Sequence, residues 1–137
     1  MTEELITPEN LTKERLKGIL DAAFMETSYD SDGDLRVHDR VKCLVLPNEE
    51  RKDRIQLIAL FGFKPGSGEL ERLQAVNRIN TEYIIVRAIA RGNDILCFTW
   101  DLPVAGGLTP KAFVLAVKRF CAIPHPAIAE CADAVVE

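Results

Sequence analysis

Apolar side chains recur at helical spacing in the first part of the chain. Residues 16–24 carry them at i, i+3, i+4, i+7 and i+8, which is typical of one buried helix face. Either Thr7-Pro8 or Thr12 can begin this helix, because threonine caps helices well and proline is tolerated in the first turn. We expect the helix to end between Met25 and Ser28. Its predicted inward stripe is Leu16, Ile19, Leu20, Ala23 and Phe24.

Two later segments have the same spacing. One follows the capping residue Ser67 and runs from Glu69 to about Asn80, with Leu70, Leu73, Val76 and Ile79 inward. The other follows Thr109-Pro110, with Phe113, Val114, Val117, Phe120 and Cys121 inward. Pro124-His125-Pro126 ends that helix, and residues 127–136 predict a short fourth one.

Alternating apolar and polar positions predict five strands. After a turn at Asp30–Asp34, a short strand covers Leu35–Val37 and a longer one covers Val41–Leu46. The strand that begins at Ile55 is apolar on both faces, which indicates a central position in the sheet. Tyr83–Arg91 and Ile95–Leu102 form a hairpin.

The apolar pattern also selects the register of that hairpin. A two-residue loop would put Arg87 and Arg91 on the face of Leu96 and Phe98, whereas the three-residue loop Gly92-Asn93-Asp94 unites the apolar side chains of both strands. A slip of one residue turns every side chain over, so the second register is favoured. Its inner face is Ile84, Val86, Ala88, Ala90, Leu96, Phe98, Trp100 and Leu102, and its outer face is Tyr83, Ile85, Arg87, Ile89, Ile95, Cys97, Thr99 and Asp101.

Length and charge then bound the class of protein. The 137 residues predict a single domain, 1–137, and 17 basic against 21 acidic side chains give a net charge of −4. An acidic chain without clustered cations argues against nucleic-acid binding. No uncharged apolar run approaches the roughly 18 residues of a membrane span, and residues 1–10 are acidic, so we expect no membrane association. Four dispersed cysteines without a CxxC pair indicate buried thiols in a reducing cytoplasm.

Candidate chemistry is sparse. Asp30, Asp32 and Asp34 match the first, third and fifth positions of a calcium loop, but Val41 occupies the place of its final glutamate, which favours a solvated turn. His38 and His125 have no nucleophile motif beside them. We therefore predict no catalytic, cofactor-binding or metal-ligating residues.

Two asparagines lie on or beside the apolar stripe of the second predicted helix. Unsatisfied amides there would cost about 1–3 kcal/mol each, so Asn77 and Asn80 should either bond to nearby backbone or contact a partner. The structural role, hydrogen bonding at the helix end, is the favoured one.

The order of these features carries a resemblance. The run Leu-Gln-Ala-Val-Asn-Arg-Ile-Asn ending at Asn80, the hairpin around Gly92-Asn93-Asp94 and the sequence Gly106-Gly107-Leu108-Thr109-Pro110 together resemble the YbjN family of bacterial sensory transduction regulators, over about Leu11–Phe120. The resemblance implies an α+β fold like that of type III secretion chaperones, with helices on a strongly bent antiparallel sheet in the order α-β-β-β-α-β-β-α. It also implies a commonly homodimeric, non-catalytic protein, and it leaves residues 121–137 as a C-terminal extension.

The expected function is accordingly that of a cytoplasmic, homodimeric protein-binding module, a chaperone-like or regulatory adaptor. The outer sheet face is too apolar to be simply solvated, so a second copy or another protein should cover it. Its expected surface residues are Ile58, Tyr83, Ile85, Ile89 and Ile95. The alternative is a small-molecule sensor or enzyme with a helix–sheet pocket lined by Trp100, Tyr83 and Asn77, and a calcium-responsive regulator is a third possibility.

Overall fold

The structure is a computed structural model that describes residues 4–92 and 94–137. After a short 3-10 turn at Pro8–Asn10, the described residues form four α-helices and six β-strands. The helices are α1 (Lys13–Ala22), α2 (Glu69–Glu82), α3 (Pro110–Cys121) and α4 (Pro124–Cys131). The strands are β1 (Glu26–Tyr29), β2 (Leu35–Asp39), β3 (Val41–Pro47), β4 (Arg54–Gly62), β5 (Arg87–Arg91) and β6 (Ile95–Pro103).

All six strands join one antiparallel sheet in the order β1-β2-β3-β4-β6-β5. β4 pairs with β6 over its whole length, from Arg54 opposite Pro103 to Gly62 opposite Ile95. The α+β class and the central position of β4 are therefore confirmed.

The hydrophobic core lies on one face of this sheet, between the strands and the helices. Ile55, Leu57 and Phe98 from that face share a buried cluster with side chains of α1 and α3. Ile58 and Cys97 point the opposite way and, although buried, do not belong to the cluster. The four helices of the described chain thus cover the inner face of the sheet, and none of them covers the other face.

The predicted register of the β5–β6 hairpin is confirmed. Arg91 pairs with Ile95 across a three-residue loop, and Ala88 faces Phe98 as the apolar pattern requires. Asn93 in that loop lies outside the described residues.

The first strand of that hairpin is shorter than predicted: it begins at Arg87, because the chain turns between the end of α2 at Glu82 and β5. Ile85 then adopts a positive φ of 79°, and the Val86 N–H donates to the Ile84 carbonyl at 2.9 Å, which is a γ-turn. Ile84 is 72% exposed, so its predicted inward position is wrong.

Both candidate starts of the first helix are used. Thr7-Pro8 begins the 3-10 turn, and Thr12 caps α1, its Oγ1 accepting a hydrogen bond from the Arg15 N–H at 3.1 Å.

The end of α1 differs from the prediction. The Phe24 N–H donates to the Asp21 carbonyl and the Met25 N–H to the Leu20 carbonyl, which is the Schellman pattern, and Phe24 takes a φ of 63°. The chain reverses there and enters β1, a strand that its mixed polar sequence did not predict. Phe24 is 98% exposed, so its placement in the core was wrong.

Fewer residues of α2 face the core than predicted. Leu70 is 68% and Leu73 48% exposed, whereas Ala75 and Ile79 are buried. The reason is that α2 packs against β5 and α4 through its second half, which leaves its first turns in solvent.

The segment after Phe120 is part of the same core. α4 begins at Pro124, earlier than the predicted start at residue 127, and Val136 forms a β-bridge with Phe63. The buried side chains of this segment join the main cluster: Cys121, Ala127, Ala132, Val135 and Val136. Residues 121–137, expected as an extension, therefore pack into the domain.

The run Pro110–Cys131 is long and apolar enough to span a membrane by length and composition alone, with a mean hydropathy of 1.3. In the fold, the run is divided between α3 and α4, and Phe113, Val117 and Phe120 on α3 are fully buried in the core. Packing in the domain accounts for the buried part of this run, which is about a third of it.

Candidate functional site

The most apolar surface feature of the sheet is the face that the helices leave uncovered, which we call the outer sheet face. The pairings place Leu44, Ile58 and Thr99 side by side, and Leu60, Cys97 and Ile89 in the next row. Its apolar members are Leu44, Leu46, Ile58, Leu60, Ile89, Ile95 and Cys97.

The centre of this face is almost inaccessible to solvent, although none of the described helices packs on it. Cys97 and Thr99 are 2% and 3% exposed, and the Thr99 hydroxyl oxygen lies 3.3 Å from the Gln56 Nε2, which donates to it. Leu60, by contrast, is 45% exposed. The face therefore has an ordered, hydrogen-bonded centre surrounded by apolar side chains that still contact solvent.

Charged side chains lie around the apolar part of the outer sheet face. Alternation along the strands puts Arg36 and Lys42 towards one side and Arg87 and Arg91 towards the other. The acidic side chains on this face are Glu26, which lies 3.9 Å from the ring of His38, and Asp101. The outer sheet face is thus more basic than the chain as a whole.

Three of the five predicted surface residues lie on this face, namely Ile58, Ile89 and Ile95. Ile85 and Tyr83 do not, because they precede β5, and the two-residue alternation begins only at Arg87. Tyr83 instead packs against the core cluster. The alternating pattern alone could have identified Leu44, Leu46 and Leu60 as additional members.

Asn80 joins α2 to the edge strand β5. Its Nδ2 donates to the Ala88 carbonyl at 3.0 Å, and its Oδ1 accepts from the Ala88 N–H at 2.7 Å. The side-chain amide thus replaces a neighbouring strand at that point of the edge, which confirms the structural role. Asn77 is exposed, and its side chain makes no hydrogen bond to any other described residue, so the structural role favoured for it was wrong.

Tyr83 ties the end of α2 to α4. Its hydroxyl donates to the Glu130 carboxylate at 2.7 Å, and this hydrogen bond raises the pKa of Tyr83 from 10.0 to about 12. Beside it, the Cys131 thiol donates to the Glu82 carboxylate at 3.3 Å, and desolvation raises the pKa of that thiol to about 11. Both groups hold their protons at neutral pH and serve as hydrogen-bond donors between the helices.

A second surface feature is a groove of about 690 Å³ between α1 and α3. Its walls are Ile19 and Ala22 from α1 and Val114 and Leu115 from α3. At Gly18 a Cβ would meet no atom within 4 Å, so the α1 backbone itself forms part of the groove. Trp100, Tyr83 and Asn77, predicted to line a helix–sheet pocket, do not line this groove.

The two histidines lie apart and have different surroundings. His38 is on the outer sheet face, whereas the His125 Nε2 is 3.2 Å from the Arg40 carbonyl and its ring packs edge-on against Phe61. Cys43 is fully buried, and its contact with the Cys121 thiol, together with burial, raises its pKa well above the usual value. A thiol that is buried and protonated in this way is a poor nucleophile.

The acidic turn is held by its own backbone. The Asp30 Oδ1 accepts hydrogen bonds from the N–H groups of Asp32 and Asp34, both at 2.9 Å. The three carboxylates can approach within 4.8 Å of one another. Because an Asx-turn explains this spacing without an ion, the turn interpretation is the simpler one.

Comparison with known proteins identifies relatives of this fold. The structure superposes on a solved structure described as "Crystal structure of YbjN, a putative transcription regulator from E. coli" with a TM-score of 0.76 and 18% sequence identity, covering 93% of this chain and 96% of that one. At that identity the likeness shows a shared fold. No curated protein matches the sequence.

The sequence itself matches the family model YbjN, described as "Putative bacterial sensory transduction regulator", over residues 12–131. The match extends from Thr12, the cap of α1, to Cys131, the last residue of α4, and so includes every helix and strand described above. The chain belongs to the YbjN family.

Proposed function

We propose that this member of a regulator family is a non-catalytic, chaperone-like adaptor that binds protein and acts as a homodimer joined through the outer sheet face. The observation that carries the proposal is the apolar outer sheet face itself, where Leu60 is 45% exposed and where none of the helices among residues 4–92 and 94–137 packs. Large contiguous apolar patches on soluble domains typically mark interaction sites.

The size of the outer sheet face supports a second copy as its occupant. Six strands about 4.8 Å apart, each four to nine residues long, give an area on the order of 600 Å². A standard protein interface buries about 800 Å² on each partner, so this face and its margins are of the size that a stable dimer needs. An isologous contact would bring together the apolar side chains that surround the centre of this face in both copies.

The chemistry of the titratable side chains supports a binding role over catalysis. Tyr83, Cys43 and Cys131 are shifted towards their protonated forms, and each shift has a structural hydrogen bond among its causes. Catalytic groups are instead tuned towards the reactive form near neutral pH. The four free thiols favour a reducing compartment, so we place the protein in the cytoplasm.

The dimer is tested by light scattering during size-exclusion chromatography of the wild type and two variants. Leu60→Lys puts a further cation on the outer sheet face at a half-exposed position, and Leu70→Lys makes the same change on α2, where the side chain is 68% exposed. We expect the wild type and Leu70→Lys to be dimers and Leu60→Lys to be a monomer with an unchanged circular dichroism spectrum. A monomeric wild type, or a Leu60→Lys variant that remains dimeric, would contradict the proposal.

Salt provides an independent check. Arg36, Lys42, Arg87 and Arg91 outnumber the acidic side chains of the outer sheet face, so two copies brought face to face repel each other electrostatically. Added salt screens this repulsion and should tighten the dimer. A dimer that weakens with salt would instead require a contact dominated by opposite charges.

A further inference from the structure

We propose that the groove between α1 and α3 binds an amphipathic helix of a partner protein whose apolar face is bordered by acidic residues. The inference rests on the proposed adaptor function and deepens it, because it names the kind of segment that the adaptor recognises. The groove is on the helical side of the molecule, opposite the outer sheet face, so each copy in a dimer would keep its own groove open.

The shape of the groove suits a helix. Its lining on α1 extends from Arg15 to Ala23, about 12 Å along the helix axis, which corresponds to more than two turns of a bound helix. Gly18 lets another backbone approach closely, because nothing lies within 4 Å of its missing Cβ. Ala22 lies one turn further along α1 and also has a small side chain, so the floor of the groove stays close to the α1 backbone.

One of the two cations in the groove lining is already engaged, which disfavours a small ligand that needs several free polar groups. The guanidinium of Arg15 donates to the carbonyls of Leu5 and Glu4 at 3.0 and 2.5 Å. Small-molecule sites usually combine an apolar pocket with a few free, convergent polar groups. What the groove offers instead is a strip of apolar side chains, with Leu115 55% exposed on its α3 wall.

Phe24 supplies a second apolar element next to the groove. It follows Ala23, which lines the groove, and it is 98% exposed. Its φ of 63° belongs to a position where helices usually place glycine, because a side chain is strained in that conformation. A bound helix that covers the ring would bury apolar surface that the described residues leave in solvent.

The positive charge of α3 indicates which side chains should border the apolar face of the bound helix. α3 contains three cations and no acidic residue. Lys111 lines the groove at the i−4 position from Leu115, and Lys118 follows at i+3, just beyond the lining. Neither lysine takes part in the ion pairs found among the described residues. Glu4 is the acidic side chain of the lining, and it faces two cations there, Arg15 and Lys111. An acidic border on the bound helix would therefore complement the groove.

The test is a selection from a displayed library of random helical peptides, with Gly18→Trp as the counter-selected variant. The indole fills the groove from a position where the fold has room for it, and Leu70→Trp adds the same group on α2 as the control. We expect selected peptides to have apolar residues at helical spacing bordered by Asp or Glu, and to bind the wild type and Leu70→Trp at least tenfold more tightly than Gly18→Trp.

A second arm measures the best selected peptide by fluorescence anisotropy. Lys111→Glu should weaken its binding at least tenfold and added salt should weaken it further, whereas Arg51→Glu, an exposed change elsewhere, should leave it unchanged. Failure to select any peptide that discriminates against Gly18→Trp, or selection of basic peptides, would overturn the inference.

Molecular mass measured on the same samples separates the two proposals. A dimer that selects no such peptide would overturn the groove alone. A monomer that binds the peptide would overturn the dimer alone.

Discussion

Replacing Asn80 by alanine should weaken the attachment of α2 to the edge strand β5. The change removes two hydrogen bonds to Ala88, at 3.0 and 2.7 Å. Because Ala88 is 3% exposed, its backbone N–H and carbonyl are then left without these partners in a buried position. Two hydrogen bonds at about 0.5–1.5 kcal/mol each give a loss of about 1–3 kcal/mol.

The matched control is Asn77→Ala on the same helix. Both substitutions exchange asparagine for alanine and so gain the same helix propensity, about 0.7 kcal/mol or less. Asn77 is exposed and its side chain bonds to no other described residue. The difference between the two variants therefore isolates the two hydrogen bonds to Ala88.

The assay is urea unfolding with the slope of the transition compared between variants. We expect the free energy of unfolding of Asn80→Ala to be about 1–3 kcal/mol below that of Asn77→Ala, at equal slope. Hydrogen exchange of the Ala88 amide should also be faster in Asn80→Ala. Equal stability of the two variants, with equal exchange at Ala88, would refute the structural role of Asn80.

Three further predictions follow from individual contacts. Phe24→Gly should raise the free energy of unfolding by about 1 kcal/mol in urea, because it relieves a positive φ at a residue with no packing to lose, and a decrease would contradict this. Since the pKa of Tyr83 is raised in the folded state, its hydrogen bond stabilises the fold below pH 10.0 and this contribution is lost as the pH rises towards about 12. Glu130→Gln should move the ultraviolet titration of Tyr83 back towards 10.0, and an unchanged titration would rule out this cause. Val136→Ala should cost about 1–3 kcal/mol, whereas no loss in urea unfolding would mean that the C-terminal segment does not pack as described.

The sequence predicted those parts of the fold where alternation is strong. The register of the β5–β6 hairpin followed from the pairing of Ala88 and Ala90 with Phe98 and Leu96. A one-residue slip would have turned both alanines away and put arginine side chains on the face of Leu96 and Phe98. The central position of β4 followed from apolar residues on both of its faces. In both cases the cost of the wrong arrangement falls on many side chains at once.

The predictions failed where a helix end or a packing partner decides the outcome. Helical spacing placed Phe24 and Leu70 inward, but the Schellman turn projects the first into solvent, and the second lies beyond the contact of α2 with β5 and α4. β1 was missed because Glu26–Tyr29 has no apolar alternation and is held by its pairing with β2. Such tertiary contacts leave little trace in local sequence.

The candidate site was predicted in part. The apolar character of the outer sheet face, with Ile58, Ile89 and Ile95 on it, could be derived from alternation alone. The groove between α1 and α3 could not, because it depends on how two helices distant in sequence pack together. Gly18 within an otherwise regular helix was the available signal, since glycine weakens a helix unless close approach requires it.

Solvent accessibility of the outer sheet face in solution tests the central claim most directly. Methyl NMR spectra recorded with a soluble paramagnetic agent compare Leu60 and Ile89 on that face with Leu70 and Ile84, which are 68% and 72% exposed elsewhere. If the outer sheet face joins two copies, the methyl signals of Leu60 and Ile89 should stay sharp while those of Leu70 and Ile84 broaden. Comparable broadening of the Leu60 and Leu70 signals at submillimolar protein concentration would contradict the account.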